Sequence, residues 1–229
     1  MTLDQLWSGW LIPPSVSTYG PELDSIYYII LWVTGIIFVL TESALIFFSL
    51  RYRHKAGRTA RYLHGNRVLE VVWTTIPTLI LVYMALISQN LWAKLRQTAR
   101  FPAEAQVIKV VGEQWIWHFT YPGPDGKIGS PDDVNVDNYF HVPINQPVRL
   151  EATAIDVIHG FYLPDLRVHQ DLVPGLKTSI WLEANQLGSF DLRCSQFCGT
   201  NHYEMSGRIT VDNPKDYKAW LAKTKAAEF

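Results

Sequence analysis

Two long apolar stretches dominate the first part of the chain, and short alternating segments follow them. The apolar stretches run from about residue 26 to 50 and from about residue 68 to 91. Each exceeds the roughly 20 residues that a helix needs to cross a bilayer. The pattern therefore predicts a two-helix transmembrane hairpin, and a buried helix pair in a soluble protein is the alternative.

From about residue 105, apolar and polar residues alternate over short segments separated by Gly, Pro, Asn and Asp. Segments rich in β-branched and aromatic residues are typical of strands. The predicted strands are Gln106 to Val111, Trp115 to Tyr121, Pro147 to Ala152, Thr178 to Leu182, Ser189 to Cys194 and Arg208 to Val211. About 110 residues with this pattern predict an all-β sandwich or barrel that buries its own core.

These patterns divide the chain into five parts. Residues 1–25 form an outer N-terminal segment, 26–92 the hairpin with its connecting loop, 93–104 a linker and 105–213 the β domain. Residues 214–229 are predicted to form a short amphipathic helix on that domain. The reason is that Tyr217, Trp220 and Leu221 are spaced for one helical face.

Basic residues are concentrated between the two apolar stretches. Residues 1–25 contain no Lys or Arg, whereas the loop carries Arg51, Arg53, Lys55, Arg58, Arg61 and Arg67. Because such loops stay on the cytoplasmic or matrix side, both termini and the β domain are predicted outside. The location is then the inner or plasma membrane of a bacterium, or the mitochondrial inner membrane. Pro13 and Pro14 break the first apolar run and no basic segment precedes it, so no cleavable signal peptide is predicted.

The composition fits a chain that is partly embedded in a membrane and partly globular. Apolar residues make up 48% and aromatic residues 13%, and 20 Lys and Arg nearly balance 21 Asp and Glu. No internal repeat and no nucleic-acid-binding motif is recognised. A Cys-x-x-Cys-His motif is absent, so no c-type haem is predicted on this chain.

Sulfur and imidazole ligands are crowded near the C-terminal end of the β domain. The only cysteines, Cys194 and Cys198, are followed closely by His202 and Met205. Thiolate, thioether and imidazole favour copper-type metals over hard cations. His159 is the best candidate for a second imidazole, because a strand ending in His-Gly can direct a ring into a loop-built site. The alternatives are a disulfide and a tetrahedral zinc site, which would leave Met205 without a role.

These residues are parts of a longer set of motifs. Cys194-x3-Cys198-Gly199-x2-His202-x2-Met205 occurs with Asp156-Val157-Ile158-His159, His64-Gly65-Asn66-Arg67 and Gln114-Trp115-Ile116-Trp117. Together they resemble subunit II of cytochrome c oxidase over nearly the whole chain. The resemblance implies a cupredoxin-like sandwich and a dinuclear copper centre, CuA, in which both thiolates bridge both copper ions. It also implies that His159 and His202 each bind one copper, with Met205 and the backbone carbonyl of Gln196 as weak ligands.

The same resemblance implies roles outside the copper site. Trp115 is expected to receive the electron from the donor, Asp156 to help dock that donor, and Glu70 to admit protons to a channel of the catalytic subunit. A solvated carboxylate at a helix end is the alternative for Glu70. Gln196 stands where many members have a glutamate that binds magnesium or manganese, so an interface cation is in doubt here. Weaker docking candidates, since turns are commonly acidic, are Asp125, Asp132, Asp133 and Asp137.

The implied function is that of the electron-accepting subunit of an oxidase. It would take single electrons from a cytochrome c and pass them to the haem of subunit I, for oxygen reduction coupled to proton pumping. Its partners would be subunit I, other oxidase subunits, a separate cytochrome c and the lipid bilayer, with no nucleic acid. The runner-up is the copper subunit of a haem-copper nitric oxide reductase, and a membrane-tethered copper-binding protein is the third hypothesis. The histidines interpreted as structural or solvated are His54, His64, His118 and His141.

Overall fold

The computed structural model describes residues 12–59 and 62–227, and the chain divides into two compact units. One unit comprises residues 22–91, and the other comprises residues 92–227 together with residues 12–21. Three parts of the sequence predictions lie outside the described residues: residues 1–11, Arg61 of the basic loop, and the last two residues of the C-terminal helix.

The two apolar stretches form helices α1 (Gly20–Arg51) and α2 (Arg67–Arg96), which confirms the prediction of two long apolar helices. Both are long and apolar enough to cross a membrane, and their apolar windows are not buried in the chain. The hydroxyls of Thr34, Thr41 and Thr78 donate to the carbonyl four residues earlier at 2.8, 2.7 and 2.7 Å. This internal bonding satisfies the hydroxyls without water, as a bilayer requires.

The other unit contains a sandwich of two five-stranded sheets. The first sheet has the order β3-β2-β1-β5-β8, with β1 (Gln106–Glu113), β2 (Ile116–Tyr121), β3 (Val134–Asp137), β5 (Val148–Ala154) and β8 (Thr178–Leu182). The second has the order β4-β10-β9-β6-β7, with β4 (Tyr139–Pro143), β6 (His159–Leu163), β7 (Val168–Leu172), β9 (Gly188–Cys194) and β10 (Ser206–Asp212). The pairs β1–β5 and β4–β10 are parallel and the others antiparallel. The predicted sandwich is confirmed, and its arrangement is consistent with a cupredoxin-like fold.

Four strands, β3, β4, β6 and β7, are missing from the sequence prediction. β7 carries His, Gln and Asp between its two buried apolar ends, so its own composition is weak for a strand. The prediction that a strand ends at His159-Gly160 is wrong, because His159 begins β6. Pairing with β7 and β9 holds this segment as a strand, and such pairing is invisible to local patterns.

The core lies between the two sheets and is rich in aromatic side chains. On β2, Trp117, Phe119 and Tyr121 are fully buried, with less buried residues between them. The Phe119 ring stacks on Phe140 of the opposite sheet at 4.2 Å, and Trp117 meets Phe161 edge-on at 5.4 Å. These contacts across the sandwich fix the spacing of the sheets beneath the loops that follow β5 and β9.

Both ends of this unit are anchored to the sandwich. Tyr19 is buried and meets Trp181 edge-on at 5.2 Å, while the Trp181 indole N–H donates to the Lys94 carbonyl near the end of α2 at 3.1 Å. Helix α3 (Pro214–Ala227) lies within the range predicted for the C-terminal helix. Its Trp220 stacks on the His141 ring at 4.1 Å, and His141 bonds Asp212 at 2.6 Å, in keeping with the structural role predicted for that histidine.

Candidate metal centre

Two chain segments bring the candidate ligands to one end of the sandwich. His159 is the first residue of β6, and Cys194 is the last residue of β9. The loop from Ser195 to Met205 folds back at once, since the Cys194 N–H donates to the Met205 carbonyl at 3.1 Å. Its start lies against Gly160, where a Cβ atom would come within 2.3 Å of Ser195 Oγ and 2.8 Å of Gln196 N. A side chain at position 160 would therefore separate the two ligand-bearing segments.

All six sequence-predicted ligands meet here. The two sulfurs, Cys194 Sγ and Cys198 Sγ, are 3.8 Å apart, and both cysteines are free. A disulfide requires about 2.05 Å, so the disulfide alternative is not what the structure shows. The ligand atoms of His159, Cys194 and Cys198 lie within 4.8 Å of one another.

The remaining donors surround the sulfur pair. His202 Nδ1 is 3.5 Å from Cys198 Sγ, and the Gln196 carbonyl oxygen is 3.2 Å from Cys194 Sγ. Met205 Sδ lies 3.8 Å from Cys198 Sγ and 3.1 Å from His159 Nδ1. His159, Cys198 and Met205 are buried. Three sulfurs, two imidazoles and one carbonyl make a soft donor set that fits copper, and Met205 has a place that a zinc site would not give it.

The two thiols ionise very differently. Burial opposes the ionisation of Cys194, but hydrogen bonds from His159 and from the backbone of Gly160 and Gln196 outweigh it and lower the pKa of this thiol to about 6. Burial and then the adjacent Cys194 raise the pKa of Cys198 to about 12. The first proton of the pair is lost easily and the second is held, because two neighbouring thiolates repel each other. A metal cation between the sulfurs would remove this repulsion.

Asp156 holds the far side of the His159 ring. Its Oδ1 is 3.0 Å from His159 Nε2 and accepts from the Val157 N–H at 2.7 Å, while Oδ2 accepts from the Gln114 N–H at 2.8 Å. Burial raises the pKa of Asp156, but the bond to His159 and the two backbone bonds lower it on balance. The carboxylate therefore leaves His159 Nδ1 turned toward the sulfur atoms, the arrangement of a metal-ligating histidine with a carboxylate behind it.

Trp115 lies beside the candidate ligands but not on a strand. Glu113 of β1 pairs with Ile116 of β2, so Gln114 and Trp115 form a two-residue turn joined by a cis peptide bond. The prediction that this strand begins at Trp115 is wrong for this reason, because β2 begins at Ile116. The indole of Trp115 packs on Gly199, where a Cβ atom would come within 3.1 Å of the ring. Trp117 is instead buried in the core, edge-on to His159 at 6.0 Å.

The remaining predicted residues have a variety of local environments. Glu70 is exposed in the first turn of α2, one turn after Asn66, whose Oδ1 accepts from the N–H groups of Val68 and Leu69 at 3.0 and 3.2 Å. Asp137 is bonded to His118 at 2.7 Å, and Asp125, Asp132 and Asp133 lie in the turn-rich segment between β2 and β3. The side chain of Gln196 is exposed.

Sequence reasoning missed two residues that contact the ligands. Gly112 on β1 leaves room for the His159 ring, since a Cβ atom there would lie 3.1 Å from His159 Cδ2. The Gln114 side-chain amide donates to the Cys198 carbonyl at 2.7 Å. Neither glycine nor glutamine is a typical metal-binding residue type. Only their closeness in sequence to Trp115 could have drawn attention to them.

Comparisons with known proteins match the helical part and the β domain of this chain to the same family. Residues 106–212 match the family described as cytochrome c oxidase subunit II, periplasmic domain, and residues 5–91 match its transmembrane domain. The chain is 32% identical to alternative cytochrome c oxidase subunit 2 of Bradyrhizobium diazoefficiens, covering 97% of this chain and 87% of that protein. It is 34% identical to probable cytochrome c oxidase subunit 2 of Rickettsia prowazekii, covering 93% and 72%.

Among solved structures, one similar chain is the periplasmic domain of subunit II of cytochrome oxidase from Bradyrhizobium japonicum. It is 31% identical with a TM-score of 0.49, and the match covers 55% of this chain and 97% of that chain. The curated relatives are subunits of cytochrome c oxidase, an oxidoreductase. From the two family matches and the curated relatives, we conclude that this chain is a membrane protein belonging to the cytochrome c oxidase subunit II family.

Proposed function

We propose that this chain binds a dinuclear copper centre of the CuA type and is the electron-accepting subunit of a cytochrome c oxidase. One observation carries the proposal: the two free sulfurs 3.8 Å apart, with imidazole, thioether and carbonyl donors around them. Cys194 and Cys198 would hold both copper ions, His159 and His202 one each, and Met205 and the Gln196 carbonyl would be weak ligands. The bound pair supplies storage and release of a single electron.

The protein's contribution is to keep these donors from moving when the charge changes. The Asp156 carboxylate fixes His159, and backbone bonds close both ends of the Ser195–Met205 segment. Burial of His159, Cys198 and Met205 keeps water away from the donors. Ligands that are oriented and dry before the electron arrives need little reorganisation. The same burial disfavours a copper chaperone, which must exchange its metal through accessible ligands.

The electron from the donor protein is proposed to enter at the Gln114–Trp115 turn. The Trp115 ring packs on Gly199, next to the ligand Cys198, so an electron that reaches the indole is one residue from the centre. The indole nitrogen is buried without a hydrogen-bond partner among the described residues, so the ring contacts its surroundings mainly through its apolar surface. Asp156 remains a proposed docking residue, although its side chain is only 27% exposed and its oxygens are engaged within the domain.

The remaining partners follow from the family and from the helices. Helices α1 and α2 would sit in the bilayer against subunit I and other oxidase subunits, with the sandwich on the outer side of a bacterial or mitochondrial inner membrane. Glu70 would collect protons at the opposite face for that partner. The neutral amide of Gln196 is a poorer ligand for a hard cation than a glutamate carboxylate, so we propose that this side chain does not hold an interface magnesium ion.

Replacing Trp115 tests the proposed route directly. In the assembled oxidase, Trp115→Phe is expected to slow reduction of the copper centre by cytochrome c in stopped-flow measurements. Copper content and donor binding should stay near those of the unsubstituted protein, because Trp115 is not a ligand. Trp92→Phe, the same change at an exposed residue of α2, is the control. A normal reduction rate in Trp115→Phe would contradict the role given to this residue.

A further inference from the structure

The turn between β1 and β2 contacts both ligand-bearing segments through one residue. The Gln114 N–H donates to Asp156 Oδ2 at 2.8 Å, and the Gln114 side chain donates from Nε2 to the Cys198 carbonyl at 2.7 Å. A carbonyl oxygen can only accept, so the amide must present its NH2 end to Cys198. Backbone and side chain of Gln114 thus bond to different loops.

Each of these bonds leads to a proposed copper ligand. Asp156 in turn holds the His159 ring, because its Oδ1 lies 3.0 Å from His159 Nε2. Cys198 is itself a ligand, and its carbonyl belongs to the same residue as the sulfur that lies near Cys194, His202 and Met205. A displacement of Gln114 would therefore reach both the His159 side and the Cys198 side of the centre.

Gly199 makes this close packing possible. A Cβ atom at position 199 would come within 2.9 Å of Gln114 Nε2 and 3.1 Å of the Trp115 ring, and its φ angle of +126° is one that other residues rarely adopt. No side chain stands between the turn and the ligand loop at this point. The absence of a side chain at Gly199 therefore lets Gln114 and Trp115 contact the ligand loop directly.

We propose that Gln114 is a positioning residue for the metal centre. Its side-chain amide fixes the Cys198 carbonyl, and its backbone N–H fixes Asp156 and, through it, His159. The positions of a thiolate ligand and an imidazole ligand are thereby tied to the turn that carries Trp115. This inference rests on the proposed copper function for its spectroscopic consequences, but the loop restraint itself does not need copper.

Gln114→Met tests the side-chain half of the proposal, because methionine has a similar length and cannot donate to the carbonyl. In the full chain loaded with copper, we expect about tenfold weaker copper binding, the lower end of what loss of an outer-shell partner costs. The electron paramagnetic resonance hyperfine splitting and the midpoint potential should change as well. Gln114→Leu, which also removes the donor and adds no charge, should shift them in the same way, and Gln186→Met at an exposed loop position should shift nothing.

A copper-free measurement separates this inference from the proposed function. In the metal-free full chain, amide hydrogen exchange should be faster in the Cys198–Met205 segment of Gln114→Met than in Gln186→Met. Faster exchange in a chain that never binds paired copper would support the positioning role and overturn the proposed function. Unchanged exchange and an unchanged copper spectrum in both Gln114 variants would overturn the positioning role.

Discussion

At the scale of single residues, Asp156 shows how a site residue can have more than one role. The family resemblance assigns it to donor docking, which rests on its charge. In the structure, both of its oxygens have hydrogen-bond partners. Oδ1 contacts the His159 ring and the Val157 N–H, and Oδ2 accepts from the Gln114 N–H. The contacts support an orienting role for this carboxylate, in addition to any contribution to docking.

Asp156→Asn is therefore expected to weaken copper binding by roughly 10- to 100-fold and to raise the midpoint potential of the bound copper. The potential should rise because a negative charge beside His159 stabilises the more positive, oxidised centre. Copper titration and redox titration of the full chain measure both effects. An unchanged potential with reduced donor binding at low salt would instead favour docking as its main role.

The proposed copper ligands could be identified from sequence because their residue types are rare and closely spaced. Cys194, Cys198, His202 and Met205 fall within 12 consecutive residues, so folding adds only His159 from another strand. Gln114 could not be found this way. Its importance lies in two hydrogen bonds to residues 42 and 84 positions away, and local patterns carry no information about such pairs.

At the scale of elements, five of the six predicted strands are rich in apolar and β-branched residues. Strands β1, β2, β5, β8 and β10 belong to this group, whereas β9 was predicted because Phe190, Leu192 and Cys194 alternate with polar residues. The strands that were missed are short or polar, such as β7, and they are held by their neighbours. Trp115 was assigned to a strand because its aromatic character matches β2, whereas pairing of Glu113 with Ile116 places it in the turn.

The close approach of strand β1 to the His159 ring leads to a prediction about a substitution in this strand. Gly112→Ala would put a Cβ atom 3.1 Å from His159 Cδ2, closer than most real contacts allow. Overpacking of this kind costs about 1–3 kcal/mol, which outweighs the gain of about 0.4–1 kcal/mol from a stiffer unfolded chain.

Thermal unfolding of the metal-free chain and its copper affinity should both report this change. Gly35→Ala, where nothing lies within 4 Å of the added atom, is the matched control. A Gly112→Ala chain with unchanged stability and copper affinity would show that the His159 ring moves aside without cost.

At the scale of the whole molecule, the hydrophobic pattern was sufficient to predict two apolar helices followed by a sandwich. The hydrophobic pattern was less informative about the residues at which the helices and the sandwich begin and end. Helix α1 begins at Gly20 rather than near residue 26, and residues 12–21 belong to the same compact unit as the sandwich. Contacts such as Tyr19 with Trp181 join positions far apart in sequence, so the end of the N-terminal segment could not be read from composition.

The separation of helices and sandwich along the chain makes Glu70 a test of the whole assembly. Because a hydrocarbon core of roughly 30 Å would separate a proton-collecting Glu70 from the outer domain, Glu70→Ala should leave copper spectra and copper reduction unchanged. Steady-state turnover of the assembled oxidase should fall, and Glu70→Asp should restore part of it. Loss of a first-turn glutamate costs a helix only about 0.3–1 kcal/mol, so assembly should survive.

Glu22→Ala is the matched control, since Glu22 occupies the first turn of α1. It should not reduce turnover. Normal turnover in Glu70→Ala would contradict the proton-collecting role and leave Glu70 as a solvated residue at a helix end.

The central claim is that the full chain holds a copper pair between Cys194 and Cys198. The most direct measurement is copper and zinc quantification of the purified full chain, combined with electron paramagnetic resonance and repeated on Cys194→Ser and Met205→Leu. We expect two copper ions per chain with one unpaired electron shared between both nuclei. Cys194→Ser should lose this spectrum and Met205→Leu should retain copper with an altered potential, because a thioether is the weaker ligand. A single copper with hyperfine structure from one nucleus, or zinc alone, would contradict the account.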